Sequence, residues 1–360
     1  MSGVRVPFPY DMYHFWAAGT VARAGGNPYA ISEIQRVMLD MGWPPEEVVY
    51  GFLHPFWSLW LFGFFSIIPF PAARFVCEAV IILLGSLSVG LLAQPAVRRL
   101  LSIKAPTPFL IFATLLFPPL MSTIYNGQVS VFTLLGITGW LSLSLRKNYF
   151  WGGVLLSLTT IKPQLFIPFY LWVFFSHFKR RQHTLAIGFA TGILLQTSIS
   201  LSISPCSAAW WLEGLRHSSL SAMQLPTPSL GRLLSSASGI EQIQLVLTVG
   251  AALLAIVVAM IDNGEPFRKA IIVYLPLSLL AAPYTWTHGF LALLPAQFAL
   301  LSRLQVCRPR TAHYGVFALG IFSAFELCMP VALSSYMILL PSALFFFGVY
   351  HARFSSTTQN

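Results

Sequence analysis

The sequence predicts an all-α protein: a polytopic transmembrane helical bundle of about 11–12 apolar helices, some of them short or re-entrant. Three observations predict it. Of 360 residues, 56% are hydrophobic and only 9% are charged, and the mean hydropathy is +0.72. A soluble domain of this size carries about 25% charged residues and would be hard to keep in water with so few. Apolar runs of helical length recur along the chain, with clusters of Lys and Arg between them. The alternation that a membrane barrel needs is absent, so backbone groups in lipid must be satisfied within helices. An ordinary soluble enzyme, a disordered chain and a collagen-like fibre are excluded on the same grounds.

In chain order, residues 1–52 form an extracytoplasmic N-terminal segment with juxtamembrane helices. No apolar core follows Met1, so this is not a signal peptide. The stretch from Asp11 to Gly19 has helical character and runs on to a glycine stop at Gly25 and Gly26. Asp11 stands where an N-cap would. Arg5, Arg23 and Arg36 are outnumbered by Asp11, Glu33, Asp40, Glu46 and Glu47, which favours the non-cytoplasmic side. Apolar runs then fall at 53–70, 73–93, 107–122, 129–145, 149–161, 164–178 and 184–203, an N-terminal transmembrane module spanning 53–203. Residues 204–240 are expected to be an extracytoplasmic loop, with Trp210 and Trp211 as interfacial anchors. Runs at 241–261, 270–283, 289–302, 312–328 and 331–349 supply the C-terminal transmembrane helices of 241–350. A cytoplasmic tail, 351–360, closes the chain.

The formal charge of +10 divides along this pattern. Arg98, Arg99 and Lys104, then Arg146 and Lys147, then Lys179, Arg180 and Arg181, then Arg268 and Lys269, then Arg303, Arg308 and Arg310, and finally Arg353 occupy alternate connections. The positive-inside rule makes those connections cytoplasmic, with roughly +12 there and roughly −2 on the other side. The basic balance is therefore a topological signal, and no nucleic-acid partner is expected. One conflict remains at the start. If 53–70 and 73–93 both cross, an outside N-terminus puts Arg98 and Arg99 outside as well. Either one of the two runs does not cross fully, or the chain lacks a first helix.

Cys77, Cys206, Cys307 and Cys328 are scattered, with no CxxC and no histidine at metal-ligand spacing, so neither a disulfide framework nor a metal site is expected. No cofactor is expected. Walker, GxGxxG, HExxH and GxSxG motifs are absent, which removes support for nucleotide-driven transport and the common hydrolases.

Against this apolar background a few outer-face polar residues are conspicuous: Asp11, His54, Asn126, Gln128, Lys162, Arg232 and His288. Each has a plain and a functional reading. Asp11 caps a helix or acts as a general base at the membrane surface. Asn126 and Gln128 flank Gly127 in an interhelical turn, or offer two amides to a hydroxyl-rich ligand. Lys162 sits at the apex of a hairpin of short helices on the side poor in cations. It snorkels to lipid phosphates or binds a substrate phosphate. Arg232 suits a bidentate contact to a phosphate. His288 is a satisfied helix-end histidine or a ligand to the substrate.

Five segments in order then resemble a known pattern. Residues 11–30, with their Asp, aromatic-rich helix, small-residue stretch and Gly26-Asn27-Pro28-Tyr29, are similar to the first extracytoplasmic loop of the GT-C glycosyltransferases. They look most like glycosyltransferase family 87, whose members include polyprenol-phosphate-mannose-dependent mannosyltransferases. Residues 50–57 resemble that family's aromatic-Pro lead into the next helix, 125–140 its Gly-Gln loop and following helix, 152–174 its Gly-rich helix running into Ile-Lys-Pro, and 283–295 its Pro-x-x-Trp-x-His segment.

The resemblance implies a GT-C-like bundle in the cell membrane with an extracytoplasmic active site. Its donor would be a polyprenyl-phosphate sugar and its acceptor a lipid or glycan, with membrane lipids around it. It implies that Asp11 deprotonates the acceptor hydroxyl, that Lys162 and His288 lie near the donor phosphate, and that Arg232 is a weaker carry-over. In that family a transmembrane helix precedes this aspartate, whereas ten residues precede Asp11 here, which points to an upstream start or a truncated, non-catalytic member. A lipid or small-molecule transporter or flippase is the other class a polytopic chain allows. Its inverted repeats and mid-membrane helix breaks are not evident.

Overall fold

Each apolar run between 53 and 302 contains helix, and no strand occurs among the described residues. The computed structural model describes residues 10–307 apart from 46–48, 50, 225–228, 231–233, 236–237, 240–241, 263–264 and 284. The expected runs at 312–328 and 331–349 and the tail at 351–360 lie outside the described residues.

Two helices open the chain, α1 (Tyr10–Arg23) and α2 (Ile31–Asp40). Met12, Ala17, Ala18, Ile34 and Met38 are buried between them and their neighbours. The expected N-cap role of Asp11 is corrected: Tyr10 is already helical, so Asp11 lies within the helix and not ahead of it. The pair is tied to the next segment by long-range bonds. The Arg23 guanidinium donates to the Ser66 carbonyl at 2.6 Å and the Trp16 indole to that of Ile68 at 2.9 Å.

The run at 53–70 is helical only over a 3-10 turn, Phe56–Ser58, and α3 (Leu59–Phe65). At 1.5 Å per residue that is roughly 15 Å, half the hydrocarbon thickness, so it does not cross by itself. Then come α4 (Phe70–Leu92), α5 (Pro95–Leu100), α6 (Thr107–Leu115) and α7 (Pro118–Asn126). The last two form one apolar run bent by 52°. Pro118 and Pro119 cause the break, since each lacks the N–H a continuous helix would use. Next are α8 (Ser130–Leu145), α9 (Tyr149–Leu156), two 3-10 turns at Ser157–Ile161 and Pro163–Leu165, α10 (Ile167–Lys179) and α11 (Thr184–Ile203).

The segment expected as an extracytoplasmic loop, 204–240, contains an 18-residue helix, α12 (Ser207–Gln224). Then follow α13 (Ile243–Ile261), α14 (Pro266–Lys269), a π turn at Ala270–Tyr274, α15 (Leu275–Ala281), a 3-10 segment at Thr287–Leu293, and α16 (Leu294–Cys307).

Among the described residues, α4, α11 and α13 are individually long and apolar enough to cross a membrane, and the bent pair makes a fourth if it counts as one span. On these three, Phe75, Leu83, Leu194, Leu245 and Ile261 are 65–71% exposed. Large side chains bared in rows on the longest helices have lipid as their natural solvent. The shorter α8 runs through the interior, buried along nearly its whole length. It packs against α4, α9 and the Thr287–Leu293 segment.

Small residues set the α9–α11 crossing. A Cβ at Gly188 would lie 2.0 Å from the Phe150 carbonyl oxygen, and one at Gly153 would lie 2.1 Å from that of Leu185. Close backbone approach of this kind is how helices associate where lipid removes the hydrophobic drive. Gly188→Val is therefore expected to cost about 1–3 kcal/mol or more through overpacking. Thermal unfolding in detergent checks it, and a melting point equal to the parent's would refute the crossing.

The helices also sort the charges by end. From Ser130, α8 runs to Arg146, which donates to Gln94 at 3.0 Å. The chain returns through α9 to Lys162, and α10 leaves again toward Lys179, whose ammonium caps the Met260 carbonyl at 2.7 Å. Basic turns thus occupy one end of α8–α10, and Gln128 and Lys162 the other.

Candidate active site

Three elements that are far apart in sequence bring their polar side chains together at that second end. Gly127 ends α7 in the left-handed region at φ 64° and ψ 40°, where a glycine carries no Cβ penalty. The Gln128 N–H closes back on Thr123 O at 2.8 Å, so the chain turns sharply and Gln128 enters the interior, 5% exposed. Asp11 arrives from the first turn of α1. Lys162 arrives from the break between the two 3-10 turns, held at φ −132° and ψ 64° with Pro163 behind it.

Gln128 joins the other two. Its Nε2 donates to Asp11 Oδ2 at 2.6 Å, and its Oε1 accepts from Lys162 Nζ at 2.9 Å. A carboxylate only accepts and an ammonium only donates, so the partners fix the amide's orientation. Ser130 Oγ accepts a second bond from Lys162 Nζ at 2.9 Å. Lysine has three N–H groups, so one remains for a ligand.

Electrostatics follow from burial. Lys162 is 7% exposed, and burial pushes its ammonium down to about 7, with the Asp11 charge opposing. Burial likewise raises the Asp11 carboxyl above the ordinary value of 3.8, against the pull of the Gln128 hydrogen bond and the Lys162 charge. A carboxylate and an ammonium therefore stand one amide apart, each shifted toward its neutral form.

His54 joins from the extended link before Phe56. Its ring packs among Phe15, Phe52 and Phe62, at centroid distances of 5.3, 5.5 and 5.3 Å. Nδ1 lies 3.0 Å from the Ile161 carbonyl, which can only accept, so Nδ1 carries the proton and Nε2 is left as an acceptor. Burial, then the Lys162 charge, pushes this imidazole down to about 3, so it is neutral. His288 is buried in the Thr287–Leu293 segment, within electrostatic reach of Lys162 and His54.

The other two sequence candidates differ. The Asn126 side-chain nitrogen turns back onto its own helix, donating to Ser122 O at 2.9 Å and Ser122 Oγ at 3.3 Å. Arg232 lies outside the described residues. Ser130 was not singled out by the sequence, since a serine opening an apolar helix carries no signal of its own. Among the described residues no group of three or more His, Cys, Asp or Glu side chains could hold a metal ion.

The family model of glycosyltransferase family 87 matches residues 52–283. The matched stretch includes His54, Gln128, Ser130 and Lys162, while Asp11 precedes it and His288 follows it. Comparison with curated proteins and with solved structures finds no match.

Proposed function

This chain belongs to glycosyltransferase family 87, and from that premise we propose that it transfers a sugar from a polyprenyl-phosphate donor to a hydroxyl of a lipid or glycan acceptor. Mannose is the sugar the resemblance favours. The observation that carries this reading is the Asp11–Gln128–Lys162 chain of hydrogen bonds. Asp11 serves as the general base: it takes the acceptor proton as the acceptor oxygen bonds to the anomeric carbon. The bond from that carbon to the phosphate oxygen breaks, and polyprenyl phosphate leaves with the electron pair. Lys162 offsets the charge growing on the leaving phosphate through its remaining N–H. Attack and departure on opposite faces invert the anomeric centre.

In this reading His288 lies near the donor phosphate with Lys162, the neutral His54 offers Nε2 to a substrate hydroxyl, and Gln128 fixes the spacing of base and cation. Asn126 and Arg232 stay secondary substrate-binding candidates in this reading. The site is assigned to the extracytoplasmic side of the cell membrane because the basic turns at Arg146–Lys147 and Lys179–Arg181 close the opposite ends of α8 and α10. The bared faces of α4, α11 and α13 contact membrane lipid, and the prenyl chain of the donor lies along the bundle from the same hydrophobic phase.

Incubating membranes that contain the protein with a radiolabelled polyprenyl-phosphate sugar tests the reading. Label should move to an acceptor and the donor should be consumed. Translocation of intact donor without consumption would instead mark a flippase. Gln128→Leu is expected to lower transfer by roughly 10- to 100-fold, since it removes a buried hydrogen bond to each of two charged groups. An unchanged rate would show that the amide bridge plays no part.

A further inference from the structure

Pro163 creates an unmet need in the turn that carries Lys162. In a 3-10 helix each carbonyl accepts from the N–H three residues on. Thr159 O is satisfied in this way by Lys162 N at 3.1 Å. The next carbonyl, Thr160 O, would turn to residue 163, but proline has no N–H. A buried carbonyl left without a donor is costly, so a partner has to come from elsewhere.

It comes from 103 residues away. The Trp57 indole N–H donates to Thr160 O at 3.1 Å and also reaches Thr160 Oγ1 at 3.2 Å. The following carbonyl, Ile161 O, is taken by His54 Nδ1. Two ring N–H groups from one short link thus grip the last two carbonyls before Lys162. Trp57 is itself seated edge-on against Trp211 of α12, at a centroid distance of 5.2 Å.

We propose that Trp57 is a positioning residue for Lys162: its indole N–H, with the His54 imidazole beside it, replaces the N–H that Pro163 lacks and holds the turn that aims the ammonium at Gln128 and Ser130. The aim matters because Lys162 follows a 3-10 turn with no helix of its own to stiffen it. Freed from this grip, the turn can rotate Lys162 out of its slot and into water. The consequence for catalysis rests on the reading of Lys162 as a ligand to the donor phosphate, whereas the positioning itself does not.

Competitive labelling of lysine amines with acetic anhydride, read by peptide mass spectrometry on the detergent-purified protein, tests the positioning without any sugar transfer. Trp57→Phe keeps the aromatic ring and removes the N–H. At about pH 11, where a solvated lysine is also mostly neutral and labelling reports access alone, it should raise Lys162 labelling by about tenfold or more, while Lys104 on the opposite end labels as before. Unchanged Lys162 labelling in a folded Trp57→Phe protein overturns the proposal. If Trp57→Phe does not accumulate, His54→Phe loosens the same turn from the Ile161 side, and unchanged labelling there overturns it equally. In the transfer assay Trp57→Phe should raise the donor KM more than it lowers kcat. A parent protein that transfers no sugar would defeat the functional reading while the labelling still decides the role of Trp57.

Discussion

Asp11→Asn is expected to lower sugar transfer by about 10²–10⁴-fold, the usual contribution of a positioned general base. The substitution is nearly isosteric. Its amide oxygen can still accept from Gln128 Nε2, so the first turn of α1 should stay docked and the protein should accumulate normally. What disappears is the negative charge and with it the proton acceptor. The charge that opposes deprotonation of Lys162 disappears too, so the lysine should fall further below its ordinary range. Transfer in membranes, expression by immunoblot and thermal unfolding in detergent together separate lost chemistry from lost folding. Parent-level turnover by Asp11→Asn would assign the base elsewhere.

The second large effect belongs to Lys162. Lys162→Met keeps the length of the side chain and removes the cation, and should cost about 10²–10³-fold in kcat, the scale seen when one donor to a developing anion is removed. The pH dependence gives a sharper reading. On the proposed mechanism, transfer needs Asp11 ionised and Lys162 protonated. Burial raises the Asp11 carboxyl, so activity should fail on the acid side earlier than for an ordinary aspartate. Burial brings the Lys162 ammonium down to about 7, so activity should also fall as pH rises through that value. The expected profile is a bell narrower on both sides than an ordinary aspartate and lysine would give. In Lys162→Arg the guanidinium stays charged, so the alkaline limb should vanish even if the rate is reduced by the altered shape. An alkaline limb that persists unchanged in the arginine variant would show that another group sets it.

Much of the candidate site was legible because charges are so rare in this chain. Asp11 and Lys162 stand out against long apolar runs, and a polar side chain kept in such a setting demands a reason. The same contrast exposed Gln128 and His288. It could not separate Gln128 from Asn126, which flank one glycine. The left-handed turn at Gly127 sends the first inward to Asp11 and Lys162 and lets the second fold back on Ser122. Ser130 and Trp57 were invisible for a different reason: each acts by hydrogen bonding to a residue 32 or 103 positions away. One serine or one tryptophan in a membrane chain has many ordinary uses.

The fold divides along a similar line. Composition and the spacing of apolar runs determined that the chain is a helical membrane protein, because transfer into lipid is a local property, set segment by segment by how much apolar surface each one carries. The positions of α4, α8, α11 and α13 follow from those runs almost to the residue. Local hydropathy contains no term for packing, so it could not tell α8, buried through the centre, from α4, bared to lipid. Nor could it show that the run at 53–70 contributes only a short helix, or that 204–240 opens with α12. Only the tertiary structure decided those points. The charge pattern had put Asp11, Gln128 and Lys162 on one side, but the tertiary structure alone brought α1, the Gly127 turn and the Lys162 hairpin together, so that a carboxylate, an amide and an ammonium meet within hydrogen-bonding distance.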